Sequence, residues 1–430
     1  MNKEILRLAV PNIISNISVP LLSTVDTALM GRLSELHIGA VGLGAMIFNF
    51  IYWNFGFLRM GTTGITAQAY GKEDASEVML TLGRAILVVL VIASLILLLQ
   101  YPIGTLSFQL MNVTEDQLPL IQDYFYTRIW AAPASLGLYA LMGWFFGMQN
   151  AIYPLIITLV VNAVNIALNF LFVIEWGMEV KGVALSTVIA QYIGLTLAII
   201  LFTVKYRNYL QHFQYRAITV WEKLKGFLLI NRDIFIRTAC LTFAFSFFYS
   251  QSSEAGELVL AANVILMQFI NWMSYGVDGF AYAAESLVGK YFGKQNIEQT
   301  KKAIRLSFIW GMALAAIYAL IYLLFRAPLL QLFTDQSDVI HAALPFLFWI
   351  ILFPILSTPC YIWDGIYIGL TASKAMRNSM LLALAVYLLL HFTLKPAFGN
   401  HGLWAALLLF MLARAVFQHW LYWRKGLALE

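Results

Sequence analysis

The stretch Ser23-Thr-Val-Asp26-Thr-Ala-Leu-Met-Gly-Arg-Leu33 closes a long apolar segment that begins near Ile5. A segment of this length and composition is typical of a membrane-spanning helix, which needs about 20 mainly apolar residues. Asp26 lies about 6 Å before the end of the segment at Met30, at ~1.5 Å per residue. A carboxylate at mid-helix costs roughly 2.5–3.5 kcal/mol even on the lenient insertion scale. We therefore expect Asp26 to face protein or a wet cavity.

Asp26 shares one face of this helix with other polar residues. At about 100° per residue, Asn12, Ser15, Ser23 and Asp26 fall within about 60° of one another. The alternative interpretation is a polar stripe that joins helices. Such stripes are usually built from Ser, Thr or Asn, so the acid favours a functional role for Asp26.

Composition extends the membrane assignment to the whole chain. Of the 430 residues, 61% are hydrophobic and 11% are charged, whereas a soluble protein averages about 25% charged residues. Repeated apolar runs of about 20 residues predict a polytopic, all-α membrane protein. Cys240 and Cys360 lie far apart in two predicted spans and predict neither a disulfide nor a metal site. The first span leads to no cleavage site and is interpreted as a retained helix.

Twelve membrane-spanning helices are predicted. They cover residues 6–30, 38–69, 78–100, 120–147, 152–174, 180–204, 231–252, 258–289, 303–325, 340–369, 378–396 and 401–423. The one long hydrophilic connection, residues 205–230, divides the chain into an N-lobe (1–204) and a C-lobe (231–430). Most of the 27 Lys and Arg residues lie in the even-numbered loops and at the termini. By the positive-inside rule, both termini and the connection are predicted to be cytoplasmic, in a multi-pass protein of the cell (inner) membrane.

An internal repeat relates the two predicted lobes. The matches are Gly71-Lys72 with Gly293-Lys294, Gly143 and Gly147 with Gly365 and Gly369, 111–116 with 333–338, and Gly177 with Gly399. All share an offset of 222 residues. The offset contains six spans, an even number, so both halves have the same orientation. A pseudo-two-fold axis along the membrane normal should therefore relate two six-helix lobes.

Polar faces recur in the N-lobe. In the fifth span, Thr158, Asn162, Asn165 and Asn169 are spaced by four, three and four residues and share a face. These side chains could hold water, orient a carboxylate or contact a substrate, and interhelical hydrogen bonding is the alternative. Thr187 and Gln191 share a face of the sixth span, where ordinary packing is the alternative.

The eighth span carries the longest polar stripe. Its members, spaced by three or four residues, are Gln268, Asn271, Tyr275, Asp278, Tyr282 and Glu285. We interpret them as a candidate cation, proton or substrate site, although both acids could instead pair with Arg or with helix ends. In the tenth span, Asp364 follows Thr358 and Tyr361 at helical spacing, and the sequence leaves both a functional and a structural role open. Arg59 is interpreted as a counter-charge that fixes packing.

Several classes of function are disfavoured by missing motifs. The chain has no Gly-x-x-x-x-Gly-Lys-Ser/Thr motif, so it encodes no ATP-driven engine. It has no His/Cys ligand cluster and no Gly-x-Ser-x-Gly elbow. We therefore expect a protein that is not an enzyme, with no cofactor, no metal centre and no nucleic-acid partner.

Three groups of motifs together resemble a known transporter family. They are Pro11 with Val25-Asp26-Thr-x-x-x-Gly31-Arg-Leu, then Phe57-Leu-Arg-x-Gly61-Thr-Thr-Gly64-x-Thr-Ala-Gln68-Ala, then Asp278-Gly-Phe-Ala-x-Ala-Ala-Glu285 with Asp364-Gly-Ile-x-x-Gly369 and Met376-Arg-Asn378. The first two are similar to the multidrug and toxic compound extrusion (MATE) family, and the third to its DNA-damage-inducible F branch. The resemblance covers the whole chain. It implies twelve helices in two lobes and a secondary antiporter that exports cationic, amphipathic drugs and toxins in exchange for H⁺ or Na⁺.

The resemblance also implies a coupling site. It places the N-lobe cation site at Asp26, with Asn165 as a partner and Thr187 at a matching polar position. Many relatives have a second acid one turn after the first Asn, and here that position is Asn169.

A lone carboxylate favours H⁺ over Na⁺ as the coupling ion. Asn165 and Asn169 supply only neutral amide oxygens, and desolvation disfavours the charged form of Asp26. Na⁺ bound at Asp26 is the alternative. Protonation could bend the first helix at Pro11 or Pro20, where backbone hydrogen bonds are already missing.

Two other functions stay open from the sequence. A lipid-linked oligosaccharide flippase of the same superfamily would need several facing Arg or Lys residues for pyrophosphate. A non-transporting membrane scaffold would not need a repeat around acidic faces. The expected partners are small cationic amphipaths and the lipid bilayer, and we expect a monomer.

Overall fold

The computed structural model describes residues 1–30, 34–111 and 113–427, with the side chains of all of these except 19–30, 35 and 327. Nearly all of the described chain is helical. The helices are α1 Asn2–Met30, α2 Glu35–Asn54, α3 Phe57–Gly71, α4 Ala75–Leu98, α5 Gln100–Leu110, α6 Leu118–Arg128, α7 Ala132–Gly147, α8 Ile152–Asn169, α9 Glu179–Tyr206, α10 Tyr215–Ile218, α11 Trp221–Ser253, α12 Glu257–Gly293, α13 Ile297–Leu324, α14 Arg326–Gln331, α15 Ser337–Ala343, α16 Leu347–Gly369, α17 Ser373–Phe398 and α18 Asn400–Lys425.

Twelve helical segments have the length to cross a bilayer. Ten segments in the described part of the chain are both long and apolar enough, and three of these combine two successive helices: α2 with α3, α6 with α7, and α15 with α16. Helices α1 and α11 contain 29 and 33 residues, which exceeds the ~20 residues needed to span the hydrocarbon core. Each predicted span coincides with one of these twelve segments. The short helices α5, α10 and α14 lie in connections between them.

The chain packs into two compact units. We call Ile14–Leu228 the N-unit, and Met1–Ile13 together with Leu229–Glu430 the C-unit. Helix α1 therefore passes from one unit to the other after Ile13. The predicted lobes, 1–204 and 231–430, differ from these units mainly in residues 1–13. The connection 205–230 contains a 3₁₀ turn at Arg207–His212, helix α10 and the start of α11.

Polar contacts and close packing explain why the first thirteen residues belong to the C-unit. Glu4 accepts hydrogen bonds from the Tyr291 hydroxyl (3.0 Å) and from Lys290 Nζ (3.2 Å). Trp310 Nε1 donates to Asn2 Oδ1 at 3.2 Å. Gly279 of α12 lies so close to α1 that a Cβ there would come within 2.9 Å of the Ala9 carbonyl oxygen. The start of α1 is thus built into the C-unit.

The 222-residue repeat is present in the packing of each unit. A Cβ on Gly143 would clash with the carbonyl oxygen of Arg59, and a Cβ on Gly365 would clash with that of Ala281. Arg59 and Ala281 are themselves separated by 222 residues. The same close helix crossing, which only a residue without a side chain permits, therefore occurs once in each unit.

The repeat also appears in the turns. Left-handed backbone recurs at three pairs of positions 222 residues apart: Glu73 (φ 61°) and Gln295 (56°), Gln149 (61°) and Thr371 (54°), and Gly177 (64°) and Gly399 (56°). Asp74 and Asn296 then cap the following helices, where they accept hydrogen bonds from Glu77 N (2.9 Å) and Gln299 N (3.0 Å). An Asp or Asn N-cap satisfies a backbone N–H that has no partner within the helix. Both units thus use one set of helix ends, which confirms the repeat.

Two membrane segments of the N-unit are interrupted. Between α2 and α3, Phe55 N donates to Tyr52 O and Gly56 N to Trp53 O, so the α-helical bonding pattern stops for one turn. Between α6 and α7, residues Ile129–Ala131 form a 3₁₀ turn. Non-helical backbone at membrane depth is tolerated only where it is buried in protein or lines a polar cavity.

Candidate functional site

A buried chain of neutral hydrogen bonds joins α8 to α9 in the N-unit. Asn169 Nδ2 donates to Asn165 Oδ1 (3.0 Å), and Asn165 Nδ2 donates to Thr187 Oγ1 (3.0 Å). Thr187 Oγ1 then donates to the carbonyl oxygen of Val183 at 3.0 Å. Asn165 and Asn169 are fully buried. The structure therefore brings together Asn165, Asn169 and Thr187, as the sequence predicted.

Ser186 is a member of this network that the sequence analysis missed. Its hydroxyl is fully buried and donates to Asn169 Oδ1, with Val183 O as a second acceptor at 2.8 Å. The available signal was the Ser186-Thr187 pair, since two successive hydroxyls on α9 point about 100° apart. Here one of them reaches Asn169 and the other Asn165, which are one turn apart on α8.

Helix α8 also binds the N-unit part of α1. Asn162 Nδ2 donates to Ser18 Oγ at 2.9 Å, and Ser18 Oγ donates to Ser15 O at 2.7 Å. The side chains of Asp26 and Pro20 lie outside the described residues. Pro11 is buried, and α1 continues through it as one helix.

In the C-unit, Asp364 forms a buried ionic cluster. One carboxylate oxygen accepts hydrogen bonds from Arg237 Nη2 and from Arg414 Nη2 (2.6 Å), and the other accepts from Gln418 Nε2 (2.7 Å). Asp364 is 6% exposed, Arg237 7% and Arg414 1%. Two guanidinium groups from α11 and α18 thus neutralise one acid of α16. The sequence predicted Asp364 as a site residue but not its two arginine partners. The sequence signal for each partner was an arginine inside an apolar span.

The polar stripe of α12 extends along much of the helix. At ~1.5 Å per residue, the 17 steps from Gln268 to Glu285 cover about 25 Å. Asp278 is half-buried and lies within electrostatic range of Cys360, as does Asp364. Glu285 is 1% exposed and lies where Gly369 of α16 packs against α12. Half-buried positions are also taken by Gln268, Asn271 and Tyr282.

A second polar cluster of the C-unit joins α11 to α17. Gln251 Oε1 accepts from Lys395 Nζ (2.5 Å) and lies 3.0 Å from His391 Nε2. Lys395 Nζ also donates to Glu254 Oε2 at 2.9 Å. Because this hydrogen bond favours the charged carboxylate, the pKa of Glu254 lies below its usual value. No periodicity or motif in the sequence pointed to these residues.

Comparison with known proteins decides the family. The MatE family model matches residues 11–171 and 234–396, which together make up most of the chain. The chain belongs to the MatE family. It is 36% identical to DNA damage-inducible protein F of Escherichia coli K12, an alignment that covers 99% of this chain and 93% of that protein. The resemblance to the DNA-damage-inducible F branch is therefore confirmed.

More distant relatives agree in function and fold. Human multidrug and toxin extrusion protein 1 is 25% identical over 79% of this chain and 59% of its own length. A MATE transporter of Vibrio cholerae in its bent form superimposes with a TM-score of 0.87 at 20% identity, covering 99% of this chain and 97% of that one. This MatE protein is thus a multi-pass membrane protein of a multidrug and toxin extrusion family, and the predicted twelve-helix, two-lobe fold class is confirmed.

Proposed function

We propose that this MatE protein is a proton-coupled antiporter that exports cationic, amphipathic drugs and toxins, with Asp26 as the coupling residue of the N-unit. The observation that carries the proposal is the neutral, buried chain of Asn165, Asn169, Ser186 and Thr187. Amides and hydroxyls can rotate to donate to an ionised carboxylate or to accept from a protonated one. Because these groups add no second negative charge, a proton bound at Asp26 leaves no other charge in the network to be neutralised.

The Ser18–Asn162 hydrogen bond supports this placement of Asp26. Asp26 follows Ser18 by eight residues, about 12 Å along α1, and Asn169 follows Asn162 by seven residues, about 10.5 Å along α8. The predicted topology runs α1 and α8 in the same direction across the membrane. Because the hydrogen bond places Ser18 and Asn162 at one depth, Asp26 and Asn169 would lie at nearly the same depth in the membrane.

The unit boundary supports a bending role for Pro11. Pro11 lies two residues before the point at which α1 leaves the C-unit and enters the N-unit. It cannot donate a backbone hydrogen bond, so α1 is weakened at this position. We propose that protonation of Asp26 from outside alters α1 between Pro11 and Pro20, and that substrate leaves by alternating access. The transporter would act as a monomer in the cell membrane with both termini cytoplasmic.

The decisive measurement is substrate efflux from proteoliposomes. We expect efflux under an imposed pH gradient without Na⁺, and loss of this efflux in Asp26→Asn while the purified variant keeps its elution profile and melting temperature. Asp123→Asn is the matched control, because Asp123 is an exposed acid of the same unit. Activity only under a Na⁺ gradient would assign Na⁺ to Asp26 and overturn the proton mechanism. A folded protein that transports no amphipath under either gradient would favour the scaffold alternative.

The flippase alternative is disfavoured by where the arginines lie. Arg237 and Arg414, two arginines that lie inside predicted spans, bind Asp364. A pyrophosphate would have to compete with that carboxylate for both groups. Transfer of a lipid-linked pyrophosphate oligosaccharide between the leaflets of proteoliposomes, in the absence of drug efflux, would establish the flippase instead.

A further inference from the structure

We propose that the N-unit contains a subsite for an anionic group of the transported amphipath, formed by Arg128, Tyr52 and Ser135 at the two helix interruptions. The subsite would extend the substrate class to amphipaths that carry a carboxylate or sulfonate, zwitterions included. This inference rests on the proposed function as an exporter of amphipathic compounds and names a chemical feature of its substrates.

Arg128 provides the charge of the subsite. Its guanidinium carbon lies 5.4 Å from the ring centroid of Phe48 and 5.6 Å from that of Tyr52. Within the described part of the chain it forms no ion pair, and its Nη1 atom is buried without a hydrogen-bond partner. The aromatic faces hold the cation but leave hydrogen-bonding groups unused. An intramembrane arginine in this state favours an anionic partner, because its planar fork matches a carboxylate or sulfonate.

Two hydroxyls adjoin this arginine. The Tyr52 hydroxyl lies close to Arg128 and to the Ser135 hydroxyl, with no more than a weak hydrogen bond to either. Tyr52 is 8% exposed and Ser135 7% exposed. Among the described residues, neither hydroxyl has a partner at hydrogen-bonding geometry. Buried polar groups normally have partners, so three adjacent donors without one indicate a group that binds there in another state of the transport cycle.

The backbone adds positive potential at the same place. Helix α3 begins at Phe57, just after Tyr52, and α7 begins at Ala132, just after Arg128. Neither start has a side-chain cap. The N-terminal end of a helix carries up to roughly half a positive charge, although here Leu58 N and Ala132 N donate to Phe55 O and Ile129 O of the preceding turns. Half-helix N-termini inside a membrane are suited to anionic substrate groups.

The position relative to ring systems indicates what the anion is attached to. Phe48 stacks with Tyr52 and with Phe125, at centroid distances of 5.8 and 5.2 Å. Tyr139 is half-buried and lies within electrostatic range of Tyr52 and Arg128. Phe48 is 3% and Phe125 0% exposed, so an amphipath with a flat aromatic body would lie against these rings, with its acidic group at Arg128, only in a state of the transport cycle that exposes them. A purely cationic amphipath would gain contacts with the rings, but the guanidinium of Arg128 would repel its charge.

The test compares one dye with and without its acid: rhodamine B, which carries a carboxylate, and its ethyl ester, which does not. In wild-type protein in nanodiscs, we expect rhodamine B to bind more tightly than the ester. Arg128→Gln should weaken rhodamine B binding by about 10- to 100-fold, the effect of losing a hydrogen bond to a charged group. It should leave the ester unchanged or bound more tightly. Tyr52→Phe, which keeps the ring, should weaken rhodamine B alone by about threefold to tenfold.

Lys205→Gln is the matched control. Lys205 Nζ also lies over two aromatic rings of the N-unit, those of Tyr153 and Tyr206, at 5.4 Å each, but far along the chain from both interruptions. The Lys205→Gln substitution should leave the ratio of the two dye affinities unchanged. If Arg128→Gln weakens the binding of both dyes equally, or if the wild-type protein binds the ester more tightly, the proposed subsite is wrong. Efflux of the ester by the same protein would still support the proposed exporter. Efflux of neither dye would refute the exporter and the subsite together.

Discussion

The N-unit and the C-unit share a backbone but differ in how they hold polar groups. At the repeat positions where the N-unit has Asn165 and Asn169, the C-unit has Tyr387 and His391. The amides of α8 bond to α9, the last membrane-spanning helix before the connection. His391 of α17 bonds instead to Gln251 of α11, the helix that begins within the connection.

The acids differ in the same way. The C-unit acid Asp364 is held by two arginines, and its repeat position in the N-unit is Met142. The repeat therefore preserves what packing requires, namely the close glycine crossings and the left-handed turns. Charges and amides are free to diverge. Ion pairs hold Asp364 of the C-unit in place, whereas Asn165 and Asn169 of the N-unit form a neutral network that can adapt to a change of charge nearby.

The strongest test of this difference is Asp364→Asn. It leaves Arg237 and Arg414 without a counter-charge in a buried position, and breaking such a pair typically costs about 3–5 kcal/mol. We expect a large drop in melting temperature in detergent. Met142→Leu at the repeat position should change stability by less than about 1.5 kcal/mol. If Asp364→Asn melts like wild type, the cluster does not hold the C-unit together.

The shared backbone predicts equal behaviour at the two glycine crossings. Gly143→Ala and Gly365→Ala should each destabilise by about 1–3 kcal/mol, because the new methyl group meets a backbone carbonyl that cannot move aside. Gly42→Ala is the control, since a Cβ there would meet no atom within 4 Å. Thermal melting of all three variants would measure these losses of stability. A clear loss in one crossing only would show that the two units do not share this contact.

A smaller effect is expected in the neutral network. Asn169→Ala removes the partners of Asn165 Oδ1 and of the Ser186 hydroxyl, which should cost about 1–2 kcal/mol. Thr158→Ala on the same helix should cost less than about 0.5 kcal/mol. Chemical denaturation of both variants would measure the difference. Equal stability of the two would mean that the amide network contributes little to the N-unit.

The smallest effect concerns the exposed pair of Glu254 and Lys395. The pKa of Glu254 is lowered from 4.5 by the hydrogen bond from Lys395, so the pair stabilises the folded state above the unfolded pKa. This contribution is lost as the pH falls through the lowered pKa. Wild type should therefore melt slightly above Glu254→Gln at pH 7, and the difference between the two should shrink as the pH falls below 4.5. Glu257→Gln, with no ion pair among the described residues, should show no such convergence.

The sequence predicted those features that depend on local periodicity. Twelve apolar segments, the 222-residue offset and the shared face of Asn165 and Asn169 all follow from spacing along single helices. Features made by three or more helices were missed. The pairing of Asp364 with Arg237 and Arg414 joins residues 127 and 50 positions apart, and no pattern within α16 specifies which arginines approach it.

The helix interruptions show the same limit. The sequence predicts one continuous span over residues 38–69. In the structure, one helix ends at Asn54 and the next begins at Phe57. Gly56 alone did not predict this, because glycine is common in membrane helices. The division of α1 after Ile13 likewise depends on partners in α12 and α13 that are nearly 300 residues away.

That division of α1 has a consequence for the order in which the protein is made. Residues 1–13 leave the ribosome before residues 14–228, but their packing partners begin only after Leu228. At synthesis rates of about 5–20 residues per second, the intervening chain takes roughly 10–40 s to appear. During that time the N-unit can assemble from its own sequence, while the first turns of α1 wait in the membrane without their partners. The earliest part of the chain to enter the bilayer is thus among the last to reach its final place.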